Sequence, residues 1–210
     1  MSRSANRYCA CRKRKMDSTG NCRCFKQNYI NCIACNAKWA ELNLHNSFAR
    51  SLLEKHNINI PAKIVLPVEY PVVVKADGIT KKANSMQEIV DIKQEIFDKS
   101  AEIGKTTYLE EFVDGNSYNA VSLYDGNNLI TFPQKNISEP ILTDYNKKLE
   151  KMLRIENADF VGFINSKIII AENKIYNTGF SFEFIQPNTD ADFLYLLNSA
   201  IYQKLDEIIL

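Results

Sequence analysis

The chain has 210 residues, 45% hydrophobic and 24% charged, with a formal net charge of +1 at neutral pH. Such a balance excludes a disordered chain and leaves room for one good-sized domain, or a small module followed by one. No apolar run reaches the length of a membrane span, and the charged start lacks the apolar stretch of a signal peptide, so a cytoplasmic protein is expected.

Charge is placed unevenly. Residues 1–38 carry nine Lys or Arg against one Asp, and the remainder is acidic. All six cysteines, Cys9, Cys11, Cys22, Cys24, Cys32 and Cys35, fall in the same segment. A secreted disulfide protein would spread its cysteines more widely. In a reducing compartment, C-x-C, C-x-C and C-x-x-C spacings fit metal ligands, and zinc takes four thiolates tetrahedrally. Only Phe25, Tyr29, Ile30 and Ile33 offer a core there, so the metal would supply most of the folding free energy. The spacing leaves open whether four cysteines hold one zinc ion or six share two, and disulfides or free thiols are the alternative. Arg12-Lys13-Arg14-Lys15 lies between two cysteine pairs. Such a run is commonly a solvated loop, but pinned by metal it would contact several phosphates of a nucleic acid, or an acidic protein surface. The expected organisation is a basic, Cys-rich zinc module over residues 1–38 and an α+β domain over 39–210.

Along the second part, Trp39, Leu42, Leu44, Phe48, Leu52 and Leu53 recur at roughly helical spacing, with Asn46 or Ser47 able to break and recap the run. His45 and His56 sit here without a catalytic arrangement and read as structural. Pro61 ends the segment, and β-rich runs follow at 62–66 and 71–75. Ser85-x-x-Glu88 is a capping box opening a helix to about Lys99, with Met86, Ile89, Val90, Ile92 and Ile96 for its inner face. Strands are expected near 106–113, 117–124 and 128–133, the last two joined by a hairpin turn at Asp125-Gly126. A helix at 144–153 leads to strands near 159–165, 167–171 and 174–185. Asn188 or Thr189 then caps a final helix striped by Phe193, Leu194, Leu197, Ile201, Leu205 and Ile208. Strands gathered in hairpins with interspersed helices indicate α+β layers rather than a doubly wound parallel sheet.

Two segments carry chemistry. Pro71-Val72-Val73-Val74-Lys75-Ala76-Asp77-Gly78 reads as a buried strand that delivers Lys75 to its carboxyl end, where a lysine can neutralise nucleotide phosphates. Tyr108-Leu109-Glu110-Glu111-Phe112-Val113-Asp114-Gly115 reads as a strand ending in paired carboxylates and a short hinge. Glu110 and Glu111 are candidates for the ribose or the adenine amino group, and the backbone of Glu111, Phe112 and Val113 for the adenine edge. Together they predict a phosphate-and-purine site sandwiched between two small sheets.

In this order and spacing, the two segments resemble the ATP-grasp family, and within it the phosphoribosylamine–glycine ligases of purine synthesis. Asn46-Ser47-Phe48-Ala49-Arg50 and His56-Asn57-Ile58-Asn59-Ile60-Pro61 extend the resemblance backwards, and Phe132-Pro133-Gln134 extends it forwards. It implies a shortened ATP-grasp body of two small antiparallel-rich sheets with helices, ATP and Mg²⁺ as cofactors, and ligation of a carboxylate to an amine. Asn116 and Ser117 stand where the family has a ribose-binding Glu, which adds Ser117 to the expected ATP-binding residues. Three departures accompany the matches. Ile79-Thr80-Lys81-Lys82-Ala83-Asn84 stands in place of a glycine-rich loop with a second lysine. Lys135-Asn136-Ile137-Ser138-Glu139-Pro140 stands in place of a long catalytic loop. Asn177-Thr178-Gly179-Phe180-Ser181-Phe182 stands in place of the family's magnesium-binding strand, with Glu183, Asp190 and Asp192 as substitute ligands. Three functions stay open: a reduced ATP-dependent carboxylate–amine ligase, the same chemistry on an amine of a protein or nucleic acid, or a non-catalytic binding protein whose basic head engages nucleic acid or an acidic partner.

Overall fold

The computed structural model describes residues 9–10, 32–65, 69–76, 79–99, 107–132, 137–185 and 192–208. Cys9–Ala10 (β1) pairs in parallel with Cys32–Ile33 (β2), Cys9 opposite Cys32. Ala34 then bridges to Val161, and Cys35 is buried to 2% exposure within the main apolar core. Ala37–Leu44 (α1) is capped by Asn36, whose side chain accepts the Trp39 N–H at 3.1 Å. The break before Asn46–Lys55 (α2) falls at His45, in extended backbone, one residue ahead of the expected recap.

The first sheet consists of Lys63–Ile64 (β3), Val72–Ala76 (β4), Ile79–Ala83 (β5) and Tyr108–Glu111 (β6), antiparallel in the order β3-β6-β4-β5. Strand alternation gives it two faces. Val72, Val74, Ala76, Ala83 and Leu109 pack on Ile89, Ile92 and Ile96 of Met86–Lys99 (α3). Burying each branched aliphatic side chain in such a layer contributes about 1.5–3 kcal/mol. Val73, Lys75, Lys82 and Glu110 therefore share the opposite face, as their register requires. Strand β5 is not among the expected elements, because Thr80, Lys81 and Lys82 are exposed and polar; lysines are a usual protection for an edge strand. Ser85 caps α3 by accepting the Glu88 N–H at 3.2 Å, while the Glu88 carboxylate reaches the Asn84 N–H at 2.8 Å.

The second sheet consists of Asn116–Tyr124 (β7), Leu129–Thr131 (β8), Gly162–Ala171 (β9) and Lys174–Ser181 (β10), antiparallel in the order β10-β9-β7-β8. Asp125 organises the β7–β8 turn by accepting the N–H groups of Asn127 at 2.8 Å and Asn128 at 2.6 Å. One face packs Ile164, Ile168 and Phe180 against α1, α2 and Glu139–Ile155 (α4), around Trp39, Leu149, Met152 and Leu153. On the other face Val121, Leu123 and Phe163 are covered by Leu196 and Ala200 of Phe193–Ile201 (α5). Farther along that face, Ser117, Asn119 and Lys167 look towards the first sheet.

Helix α4 begins several residues ahead of the expected start because Pro140 suits a first helical turn. Strand β9 runs through what reads as two short strands, burying Asn165 and Ser166 in its middle. Helix α5 starts on an Asp192 cap and stops at Ile201, and Leu205 packs from a 3₁₀ turn at Leu205–Glu207. The expected caps Asn188 and Thr189 lie outside the described residues. No helix among the described residues is long and apolar enough to cross a membrane.

Candidate functional site

A cavity of about 390 Å³ opens between the two sheets. Val73, Lys75, Thr80, Glu110 and Glu111 line it from the first sheet, Ser117, Asn119 and Lys167 from the second, and Phe112 and Val113 from the connecting hinge. The six expected nucleotide-contacting residues, Lys75, Glu110, Glu111, Phe112, Val113 and Ser117, thus lie around one space.

Behind the cavity lies a buried ionic cluster. Glu110, at 3% exposure, receives Arg50 Nη1 on Oε1 at 2.7 Å and faces Lys75 Nζ through Oε2 at 2.9 Å. Lys75 and Arg50 are themselves 4% and 7% exposed. Two cations share this one buried carboxylate at the cleft wall, where low dielectric strengthens the pull of Lys75 on an anion. Arg50 Nε also pairs with Glu54 at 3.0 Å, but Glu54 is solvent-exposed and screened. Helix α2 braces the same strand from its start, where Asn46 Nδ2 donates to the Ala76 carbonyl at 2.8 Å.

Lys75 also crosses the cleft, donating to the Thr178 carbonyl at 2.9 Å. That carbonyl is presented by a bulge in β10 between Asn177 and Gly179. Asn177 fixes the bulge from inside: its amide donates to the Tyr145 hydroxyl at 2.6 Å, and its Oδ1 accepts the Gly179 N–H at 2.9 Å. Burial pushes the Tyr145 hydroxyl up to about 12, against the opposing effect of its bonds to Ser166 and Asn177, so it stays neutral at physiological pH. The hinge is equally constrained. A Cβ on Gly115 would sit 2.4 Å from the Ile170 carbonyl oxygen, so only glycine lets the hinge lie this close to β9. The Glu111 N–H is spent on the Ala62 carbonyl and its carboxylate on the Ala62 N–H, both at 2.9 Å. Lys82 stands over the Phe112 ring, 4.1 Å from its centroid.

No known protein-family profile matches the chain. A phosphoribosylamine–glycine ligase of Fusobacterium nucleatum is 24% identical over 238 residues, covering 88% of this chain and 56% of that protein. The phosphoribosylamine–glycine ligase structure from Thermotoga maritima superposes with a TM-score of 0.64 at 15% identity, covering 73% of this chain and 51% of that one. The biotin carboxylase domain of a Hydrogenobacter thermophilus 2-oxoglutarate carboxylase, solved with MgADP and bicarbonate, superposes with a TM-score of 0.64 at 14% identity, covering 85% and 49%. This chain has the ATP-grasp fold. Its similarity to the phosphoribosylamine–glycine ligases is distant but runs over most of its length, and it spans a little over half the length of the curated relatives it matches.

Magnesium in an ATP-grasp cleft needs oxygen donors, usually including one or two carboxylates. The described donors do not fit it. Both oxygens of Glu110 face Arg50 and Lys75, Glu111 is bonded to Ala62, and both ends of the Asn177 amide are occupied. The substitute ligand Asp192 is spent on capping α5, where it accepts the Leu194 N–H at 2.9 Å. Asp190 lies outside the described residues. Glu183 follows β10, and its carbonyl accepts the Asn165 amide at 2.7 Å.

Of the six cysteines assigned to zinc, Cys11, Cys22 and Cys24 lie outside the described residues, as do Arg12, Lys13, Arg14 and Lys15. Among the described residues no three His, Cys, Asp or Glu side chains gather to hold a metal. Sequence reasoning missed Lys167. It is exposed on β9 between buried Ser166 and Ile168, so its side chain belongs to the cleft face rather than the core. No local signal marked it, because Phe163 to Ile170 do not alternate apolar and polar residues.

Proposed function

We propose that this chain binds ATP in the cleft between its two sheets, the adenine against the hinge backbone at Phe112 and Val113 and the phosphates towards Lys75. The observation that carries this reading is the placement of Lys75, held by Glu110 and the Thr178 carbonyl, in the same 390 Å³ cavity as the hinge. That volume lies within the range of small-ligand sites. The MgADP in the Hydrogenobacter structure and the distant similarity to the ligases support a nucleotide as the occupant.

Binding without ligation is the function we assign. Carboxylate–amine ligation proceeds through charge-stabilised phosphoryl transfer, and the two carboxylates that line the cleft, Glu110 and Glu111, are engaged in holding the protein's own groups. Calorimetric titration of the full chain with ATP, beside a Lys75→Met variant, tests the site. Methionine keeps the packing of the lysine stem and leaves Glu110 paired with Arg50. ATP affinity should fall at least tenfold, about 1.4 kcal/mol. Absence of binding to the parent at millimolar ATP, or equal affinity in the variant, would overturn the reading. ADP formation that depends on an added carboxylate and amine would establish ligation instead.

A further inference from the structure

The geometry points to a cleft that takes its polyphosphate without a divalent cation, with the Lys167 ammonium supplying the positive charge. This rests on the nucleotide reading above and specifies which form of the nucleotide is bound.

Lys167 stands on β9 opposite Asn119 on one side and Gly179 on the other. Paired residues of antiparallel strands project from the same face, so all three look into the cleft. Gly179 has no side chain to obstruct it, and the Lys167 stem runs alongside, its Cδ 4.0 Å from the point a Cβ on Gly179 would occupy. Lys75 approaches the same cavity from the other sheet. Lys167 has no ion-pair partner among the described residues, whereas Lys75 has Glu110. The cleft is therefore lined by two lysines from opposing sheets.

Charge decides between the two forms of ATP. Free ATP carries about two more negative charges near neutral pH than its magnesium complex. Each ammonium makes charge-assisted hydrogen bonds to phosphate oxygens, and these strengthen with the charge they face. A bound Mg²⁺ would meet Lys167 as a like charge, and the two carboxylates of the lining already serve Arg50, Lys75 and the Ala62 N–H. A lysine is a compact point charge on a flexible stem, suited to tracking a phosphate chain.

The test is ATP titration of the full chain in EDTA and in excess MgCl₂, for the parent, Lys167→Met and Lys167→Arg. The parent should bind at least tenfold more tightly in EDTA. Lys167→Met should lose that preference, through a tenfold or greater weakening in EDTA, while Lys167→Arg should retain it. Thermal melts of the exposed-site variants check that the fold is intact. Tighter binding of the parent in MgCl₂, or a preference unchanged in Lys167→Met, overturns the inference and leaves the nucleotide site standing. Absence of binding in both buffers removes the nucleotide site and the inference together.

Discussion

Glu110 lies between Leu109 and Glu111 on β6, and alternation along the strand sends Leu109 onto α3 and Glu110 into the cleft. This buried carboxylate then sets the position of Lys75, because removing a partner from a buried ion pair costs about 3–5 kcal/mol. Lys75 was legible in the sequence, since a run of valines ending in one lysine reads as a strand carrying a charge to its end. Lys167 was not, because Asn119 and Gly179 come beside it only through the register of β7, β9 and β10. Nor does sequence show that Asn177 belongs to Tyr145. Tyr145→Phe should leave the Asn177 amide, in a residue 1% exposed, without its acceptor. We expect a loss of about 1–3 kcal/mol in urea unfolding. A change below the error of the measurement would show that the tyrosine hydroxyl does not hold the bulge.

At the scale of elements, helices and hairpins with strong periodicity were legible, and the polar strands were not. The capping box of α3 and the Asp125 turn follow directly from local chemistry. Strand β5 was hidden by its exposed Thr80, Lys81 and Lys82, and the middle of β9 by Asn165 and Ser166, which tertiary contacts bury. Contacts between helix ends were equally invisible. Glu156 closes α4 and receives Lys55 Nζ at 2.6 Å and His56 Nε2 at 2.7 Å from the end of α2. The hydrogen bond from Lys55, then that from His56, holds its carboxyl below the usual glutamate value of 4.5. A depressed carboxyl stabilises the fold fully above its unfolded value, and that contribution is lost as pH falls through the folded one. Glu156→Gln should therefore melt below the parent at pH 5.5, and the gap should close on titration to pH 3. A gap that is constant across this range would mean that the carboxylate charge contributes nothing to the tie.

Across the whole molecule, the two sheets form the walls of the cleft, and few polar ties join them directly. The Asn177 N–H reaches the Asn59 carbonyl at 2.8 Å, anchoring β10 to the segment between α2 and β3. The more consequential tie is the bond from Lys75 to the Thr178 carbonyl, because the same amine faces the cavity. The ammonium has three donors, so a phosphate releases the carbonyl only where it draws the amine farther into the cavity. Arrival of the ligand by that route unfastens one wall from the other as it fills the space between them. Amide hydrogen exchange should record both halves of this trade. ATP should slow exchange at 112–115 and speed it at 178–180, whereas uniform protection of both segments would mean that the fastening survives binding. The cleft is thus a bolted door whose bolt is also the handle, and a change at Lys75 alters the hold on the ligand and the hold between the walls together.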